Sequence, residues 1–182
     1  MLGNLINRGM KHFILIIIAL VFLSAHRSDP KEDTSAKIKV VYLYNFSKYI
    51  DWPEDYKSGS FIITVIGNSP SLLSELSKMA TQKKAGSQDI SIKSISSVSD
   101  LNKSNIVFVP AENSGQLNEI ISKLKGRSTL VVSEKPGSIK QGSAINFIVQ
   151  ENKQKFELCK TNAERSKLKV SSSLLPLAIL VD

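Results

Sequence analysis

The sequence predicts an α/β sandwich: a single domain with a mixed sheet, parallel at its centre, an antiparallel C-terminal hairpin, and helices on both faces. Three observations carry this reading. Continuous apolar runs at Phe61–Ile66 (FIITVI), Ile106–Val109 (IVFV) and Thr129–Val132 (TLVV) have the pattern of strands buried on both faces, as parallel strands are. Helical segments lie between them, as parallel crossovers require. After Ser143 the pattern changes to alternation over Ala144–Val149, then returns through Lys155–Leu158, which reads as a hairpin.

Taken in order, Ala36–Ile50 (AKIKVVYLYNFSKYI) is the first helix. Thr34 or Ser35 is placed to cap it. Its apolar residues cover a wide arc, with Val40, Leu43, Phe46 and Ile50 on one row and Ile38 and Val41 on another, so most of its circumference is expected to be covered. Trp52–Pro53 ends it, because proline disfavours helical angles in the residue before it. After the first buried strand, Gly67–Asn68–Ser69–Pro70 forms a turn. Ser69 serves as N-cap and Pro70 as first helical residue of a helix reaching about Met79. Lys83–Ser87 is a basic turn, and Ile90 and Ile92 mark a short peripheral strand. Pro110 stops the second buried strand, and Gln116–Leu124 is a helix ended by Gly126. After the hairpin come a short helix at Asn162–Lys167 and an apolar segment, Leu174–Val181, in which Pro176 limits any helix to about a turn.

The chain has 182 residues, suited to one domain with a targeting segment. Residues 1–25 contain no acidic residue. Arg8 and Lys11 precede an unbroken apolar run from Phe13 to Leu23, followed by Ser24 and Ala25. That is the length of a secretory core and short for a membrane span. The expected organisation is a signal peptide over 1–25 cut after Ala25, a flexible tether over 26–35 and a folded domain over 36–182. An uncleaved N-terminal membrane anchor is the alternative. Taking away Arg8 and Lys11 lowers the formal charge from +8 to +6. The excess lysines are scattered, and no arginine-rich cluster with interleaved aromatics occurs, so they read as solvated faces rather than a nucleic-acid groove.

Catalytic readings find little to build on. Both histidines, His12 and His26, fall in the first 26 residues, so the domain lacks the commonest zinc ligand and the commonest general base. Cys159 is the only cysteine, which excludes an intrachain disulfide and any CxxC site; it reads as a small packed residue at a strand-to-helix junction. Neither Ser69 nor Ser133 lies in a GxSxG elbow. No catalytic residue, metal ligand or cofactor is assigned.

Two places remain as candidate binding sites. Tyr42, Tyr44, Phe46, Tyr49, Trp52 and Tyr56 are six of the twelve aromatic residues. They read either as a core helix wedged against the sheet or, through Tyr44, Tyr49 and Trp52, as anchors for a partner, since Trp and Tyr dominate interface hot spots. The second place is Gly67, Asn68 and Ser69, with Ser133, at the carboxyl ends of the parallel strands. Open α/β sheets bind ligands there, and a plain structural turn is the competing reading.

Several blocks carry a family resemblance. Tyr42–Pro53 (YLYNFSKYIDWP), Ile66–Pro70 (IGNSP), Gly142–Phe147 (GSAINF), Lys155–Leu158 (KFEL) and Leu168–Leu175 (LKVSSSLL) occur in the order found in the YfiR-like periplasmic proteins, and the likeness spans about residues 36–180. The resemblance implies an exported, non-catalytic repressor. Its partner would be the periplasmic domain of an inner-membrane sensor, a diguanylate cyclase or a kinase, held inactive by direct contact, so that cyclic-di-GMP output rises when the repressor is lost. A homodimer is left open, and no nucleic acid is involved. A soluble small-molecule-binding module is the alternative. Two features depart from the family pattern: with Cys159 alone, the family's disulfides and redox response cannot form, and Pro176 stands where a helix former is usual.

Overall fold

The computed structural model describes residues 30–182, with side chains described from Thr34 onward. The leader with its cut after Ala25 lies outside the described residues. Among the described residues there are four helices: α1 (Pro30–Tyr49), α2 (Pro70–Gln82), α3 (Leu117–Lys123) and α4 (Lys160–Arg165). Ten strands accompany them: β1 (Ile50–Asp51), β2 (Phe61–Ile66), β3 (Lys84–Ala85), β4 (Gln88–Ile95), β5 (Ile106–Val109), β6 (Leu130–Ser133), β7 (Ile145–Gln150), β8 (Lys153–Leu158), β9 (Lys169–Val170) and β10 (Ile179–Leu180). Eight strands form one mixed sheet in the order β10-β8-β7-β6-β5-β2-β4-β3, and β1 pairs with β9 in a separate two-stranded ribbon.

The predicted sandwich is present. Strands β4, β2, β5, β6 and β7 run parallel, and β7–β8 is the antiparallel hairpin, with Phe147 opposite Phe156. Side-chain alternation along the central strands feeds two cores. Ile106 and Phe108 of β5, with Leu130 and Val132 of β6, point to the face covered by α1, α2 and α4. Val107, Val109 and Val131 point to the other face, where Leu117 and Ile120 of α3 meet them. A strand buried on both sides has no use for polar alternation, which is why these strands read as continuous apolar runs.

Several elements differ from expectation. Helix α1 begins at Pro30, so the second half of the expected tether is helical. Proline suits a first helical position, because its missing N–H would be unpaired there and its φ is already helical. Only one apolar row of α1 is covered: Val40, Leu43 and Phe46 are buried, whereas Val41 is 59% exposed and Ile38 also reaches solvent. Helix α1 also stops at Tyr49, and Ile50–Asp51 runs on as strand rather than helix. Strand β4 is neither short nor at the rim. It runs for eight residues and pairs with β2 over six, and β3 lies outside it. The segment around Pro176 closes a 3-10 turn, Leu175–Leu177, and then adds β10 to β8 as a parallel edge strand. Cys159 is buried between β8 and α4, as the junction reading requires.

The hairpin turn uses two residues with left-handed backbone, Glu151 (φ 52°) and Asn152 (φ 57°), the geometry of a type I′ turn that matches strand twist. Helix α1 lies over the hairpin through stacked rings. Phe46 meets Phe147 at 6.0 Å and Phe156 edge-on at 5.1 Å, and Tyr42 packs edge-on to Phe156 at 5.3 Å. Phe46 is fully buried. Phe46→Ala should therefore destabilise the domain by about 3–5 kcal/mol, enough to shift a urea unfolding midpoint by 1 M or more. A midpoint within 0.3 M of the parent would show that the α1–hairpin contact contributes little.

Candidate functional site

Where α1 ends, the chain makes an abrupt change. Tyr49 closes the helix, Ile50–Asp51 becomes strand, and Trp52–Pro53 leads into a 3-10 turn at Glu54–Tyr56. The strand is held by β9, with Ile50 opposite Val170, and by the Ser171 N–H donating to the Tyr49 carbonyl at 2.9 Å. Gln88 at the start of β4 donates from Nε2 to the carbonyls of Tyr56 and Gly59, both at 3.1 Å, tying this loop to the main sheet.

Between the ribbon and the β3–β4 turn lies an open cavity of about 650 Å³. Its walls come from segments far apart in sequence. Tyr44, Lys48 and Tyr49 come from the end of α1; Asp51, Trp52, Lys57 and Phe61 follow; Lys84 to Gln88 come from the β3–β4 turn, and Lys169 to Ser171 from β9. The three predicted partner residues, Tyr44, Tyr49 and Trp52, thus converge on one cavity. They do not share one exposure. Tyr44 and Tyr49 are half-buried, while Trp52 is only 4% exposed and sits edge-on against Phe61 at 5.0 Å. Within the aromatic cluster Phe46, Trp52 and Tyr56 are buried in the core, while Tyr44 and Tyr49 line the opening.

The Trp52 indole is unusual in one respect. Its Nε1–H is buried and has no hydrogen-bond partner among the described residues. An unpaired buried donor of this kind costs about 1–3 kcal/mol.

Lysine supplies most of the charged groups lining the opening, and acids paired with two of the lysines offset part of that charge. Four lysines, Lys48, Lys57, Lys84 and Lys169, line it against one acid, Asp51. Lys57 pairs with Asp51 at 3.0 Å and Glu54 at 2.9 Å. Hydrogen bonds to Glu54 and then Asp51 hold the Lys57 ammonium above the usual lysine range. On the lysine side, the contribution of this link is fully present below the ordinary lysine value and is lost as pH climbs through the raised one. Lys84 pairs with Asp89 at 2.9 Å. Lys48 lies over the rings of Tyr44 and Tyr49, 5.5 and 5.8 Å from their centroids, and neither it nor Lys169 forms an ion pair among the described residues. Residues Lys48, Lys57, Lys84, Phe61, Lys169 and Val170 carried no local signal, because the site joins segments about 120 residues apart.

At the other end of the strands the second predicted site looks different. Gly67 has φ +80°, and its N–H already donates to the Ile95 carbonyl at 2.7 Å. A Cβ on Gly67 would stand 2.3 Å from Asn113 Oδ1, so the Asn113 side chain fills the space above the turn. Asn68 is exposed, and Ser69 does not cap α2 with its side chain but donates to Glu112 at 3.3 Å. Ser133 is 1% exposed and spends its hydroxyl on Ser143, Asn146 and the Ile145 carbonyl. The structure brings Gly67, Asn68 and Ser69 together as a turn, and it leaves Ser133 in a separate buried network rather than on a crevice with them.

Comparison with known proteins fits this architecture. A model of the YfiR/HmsC-like family matches residues 36–179. The chain belongs to that family. Its members are periplasmic regulatory proteins acting in diguanylate cyclase signalling. Among solved structures, a conserved domain protein from Vibrio cholerae O1 biovar El Tor str. N16961 superposes with a TM-score of 0.57 at 13% identity, over 81% of this chain. This likeness establishes the fold, and the chain spans 60% of that protein's length. No curated protein matches the chain. Among the described residues no helix is long and apolar enough to cross a membrane.

Two substitutions separate the role of the indole from that of its N–H. Trp52→Ala should cost about 3–5 kcal/mol as a large buried ring is lost. Trp52→Phe keeps the contact with Phe61 and removes the unpaired donor, so it should fall within about 1.5 kcal/mol of the parent. Equal losses in the two variants, read from thermal unfolding, would contradict this assignment. Gly67→Ala should lower stability, read from thermal unfolding, by more than the ~1–2 kcal/mol cost of the left-handed backbone, because the new Cβ must also displace the Asn113 side chain.

Proposed function

We propose that this protein is an exported, non-catalytic regulator that binds the periplasmic sensor domain of a membrane diguanylate cyclase and holds the cyclase inactive. The observation that carries the reading is the YfiR/HmsC-like match over residues 36–179, the folded body from end to end. The geometry supports it by supplying a place for contact. Tyr44 and Tyr49 stand at the mouth of an open cavity, on a rigid helix whose opposite side is fixed in the core. Half-buried tyrosines on a fixed frame lose little freedom on binding, which is what makes them effective anchors.

The mechanism is one of differential affinity. A regulator that binds both arrangements of the sensor equally shifts nothing. Taking a sensor from 99:1 active to 99:1 inactive requires about 10⁴-fold tighter binding to the inactive arrangement. Contacts around Tyr44 and Tyr49 would have to exist in only one of the two. Release of the regulator then returns the cyclase to activity with no chemistry on either protein.

Affinity capture from detergent-solubilised membranes tests this. The tagged chain should retain a protein with a periplasmic domain and a cyclase domain, and the Tyr44→Ala/Tyr49→Ala double variant should retain roughly 30-fold less of it, with an unchanged circular dichroism spectrum. Membranes that yield no cyclase would remove the basis of the proposal. Undiminished retention by the double variant would place the contact elsewhere on the domain.

A further inference from the structure

The cavity also carries information about what enters it. It lies at the amino ends of the parallel strands, since Phe61 and Gln88 are the first residues of β2 and β4. Helix N-termini gather at the carboxyl ends of such a sheet, and there backbone N–H groups cradle small anions. At the amino end recognition of negative charge falls to side chains, and of the four lysines lining this opening Lys57 and Lys84 are already paired with Asp51, Glu54 and Asp89. Lys48 and Lys169 have no carboxylate partner among the described residues, and the floor between the lysines is apolar, made by Trp52, Phe61 and Val170.

The walls are sheet edges. Strand β3 is the outermost strand of the eight-stranded sheet on this side, and β1 and β9 pair only with one another, so each is an edge strand. Edge strands present unpaired backbone groups that pair with an added strand, while alternate side chains of the added strand reach opposite sides. A small anion has no use for such edges; an extended peptide does.

We propose that the cavity receives an extended acidic segment of the partner protein. One apolar or aromatic side chain would sit on the Trp52–Phe61 floor, and carboxylates on the same strand would reach Lys48 and Lys169. This rests on the regulatory reading and names the chemistry of the partner surface that the regulator selects.

Trp52 is the only tryptophan, so its emission reports occupancy directly. The probe is the capped heptapeptide Ac-Glu-Val-Glu-Phe-Glu-Val-Glu-NH2, titrated into the full chain. Controls are the same peptide with lysine for glutamate, inorganic phosphate, and phenylacetate. The acidic peptide should shift Trp52 emission with saturation, the basic peptide should not, and raising salt from 0.05 to 0.5 M should weaken binding severalfold by screening. Lys48→Glu/Lys169→Glu should weaken it by roughly tenfold with an unchanged circular dichroism spectrum. Equal binding of the two peptides, or no effect of the lysine reversals, would overturn the proposal. So would saturable binding of phenylacetate or phosphate without binding of the acidic peptide, which would make this a small-anion site. Membrane capture keeps this inference apart from the reading it rests on. Cyclase retention that survives both lysine reversals sinks the acidic-segment inference alone, whereas acidic-peptide binding without any cyclase retention sinks the regulatory reading alone.

Discussion

The packing of α1 against the hairpin is the contact on which the rest depends. Leu43 and Phe46 are fully buried, and the Phe46 ring touches both Phe147 and Phe156, which face each other across β7 and β8. Phe147 in turn meets Phe108 of β5, so one aromatic layer links the first helix, the central parallel strands and the antiparallel edge. Side chains packed at interior density leave the helix little freedom to rotate or slide. Once Phe46 is fixed, Tyr44, Lys48 and Tyr49 are fixed too, because positions on one helix share a rigid frame. The residues at the cavity mouth are thus positioned by a core that Tyr44 and Tyr49 pack against.

A second constraint acts at the helix end. The chain leaves α1 at Tyr49 and must pass Trp52–Pro53 before entering β2 at Phe61. The β1–β9 ribbon and the bond from Ser171 to the Tyr49 carbonyl hold that passage, and the Trp52 ring closes against Phe61. These contacts leave the Trp52 N–H without an acceptor, a local cost the surrounding packing has to offset. Lys39 on α1 pairs with Glu134 after β6, a third tie between the helix and the sheet. These ties act on a helix whose position the Phe46 packing already sets.

The parts of this fold legible in the sequence are those set by burial over a few consecutive residues. FIITVI, IVFV and the TLVV run stood out because both faces of a central strand are covered, and INF against KFEL stood out because one face of the hairpin is not. Strand β4 was harder. Gln88–Ile95 mixes Ile90 and Ile92 with serine and lysine, since much of it is open to solvent, and its six-residue pairing with β2 is a long-range property with no local trace. The two-residue strands β1, β3, β9 and β10 are too short for any period to register; they exist because the tertiary fold brings them alongside a neighbour. The same holds at the candidate site. Aromatic residues clustered in one stretch were visible, whereas Lys57, Lys84 and Lys169 come together only through the topology.

The general rule for open α/β sheets places ligands outside the carboxyl ends of the strands, where chain direction reverses from one side to the other. In this sheet that point lies between β2 and β5, since the chain steps from β2 out to β4 and returns to the far side at β5. There the Asn113 side chain stands over Gly67, Glu112 accepts from Ser69, and the Gly67 N–H is already paired. Filling the crevice from within uses up the donors that would otherwise hold an anion. The open space lies instead at the amino ends, where the fold supplies no helix N-terminus and the charge comes from lysine side chains. Among the described residues, the open, lysine-lined space therefore lies at the end of the sheet opposite the one this rule favours.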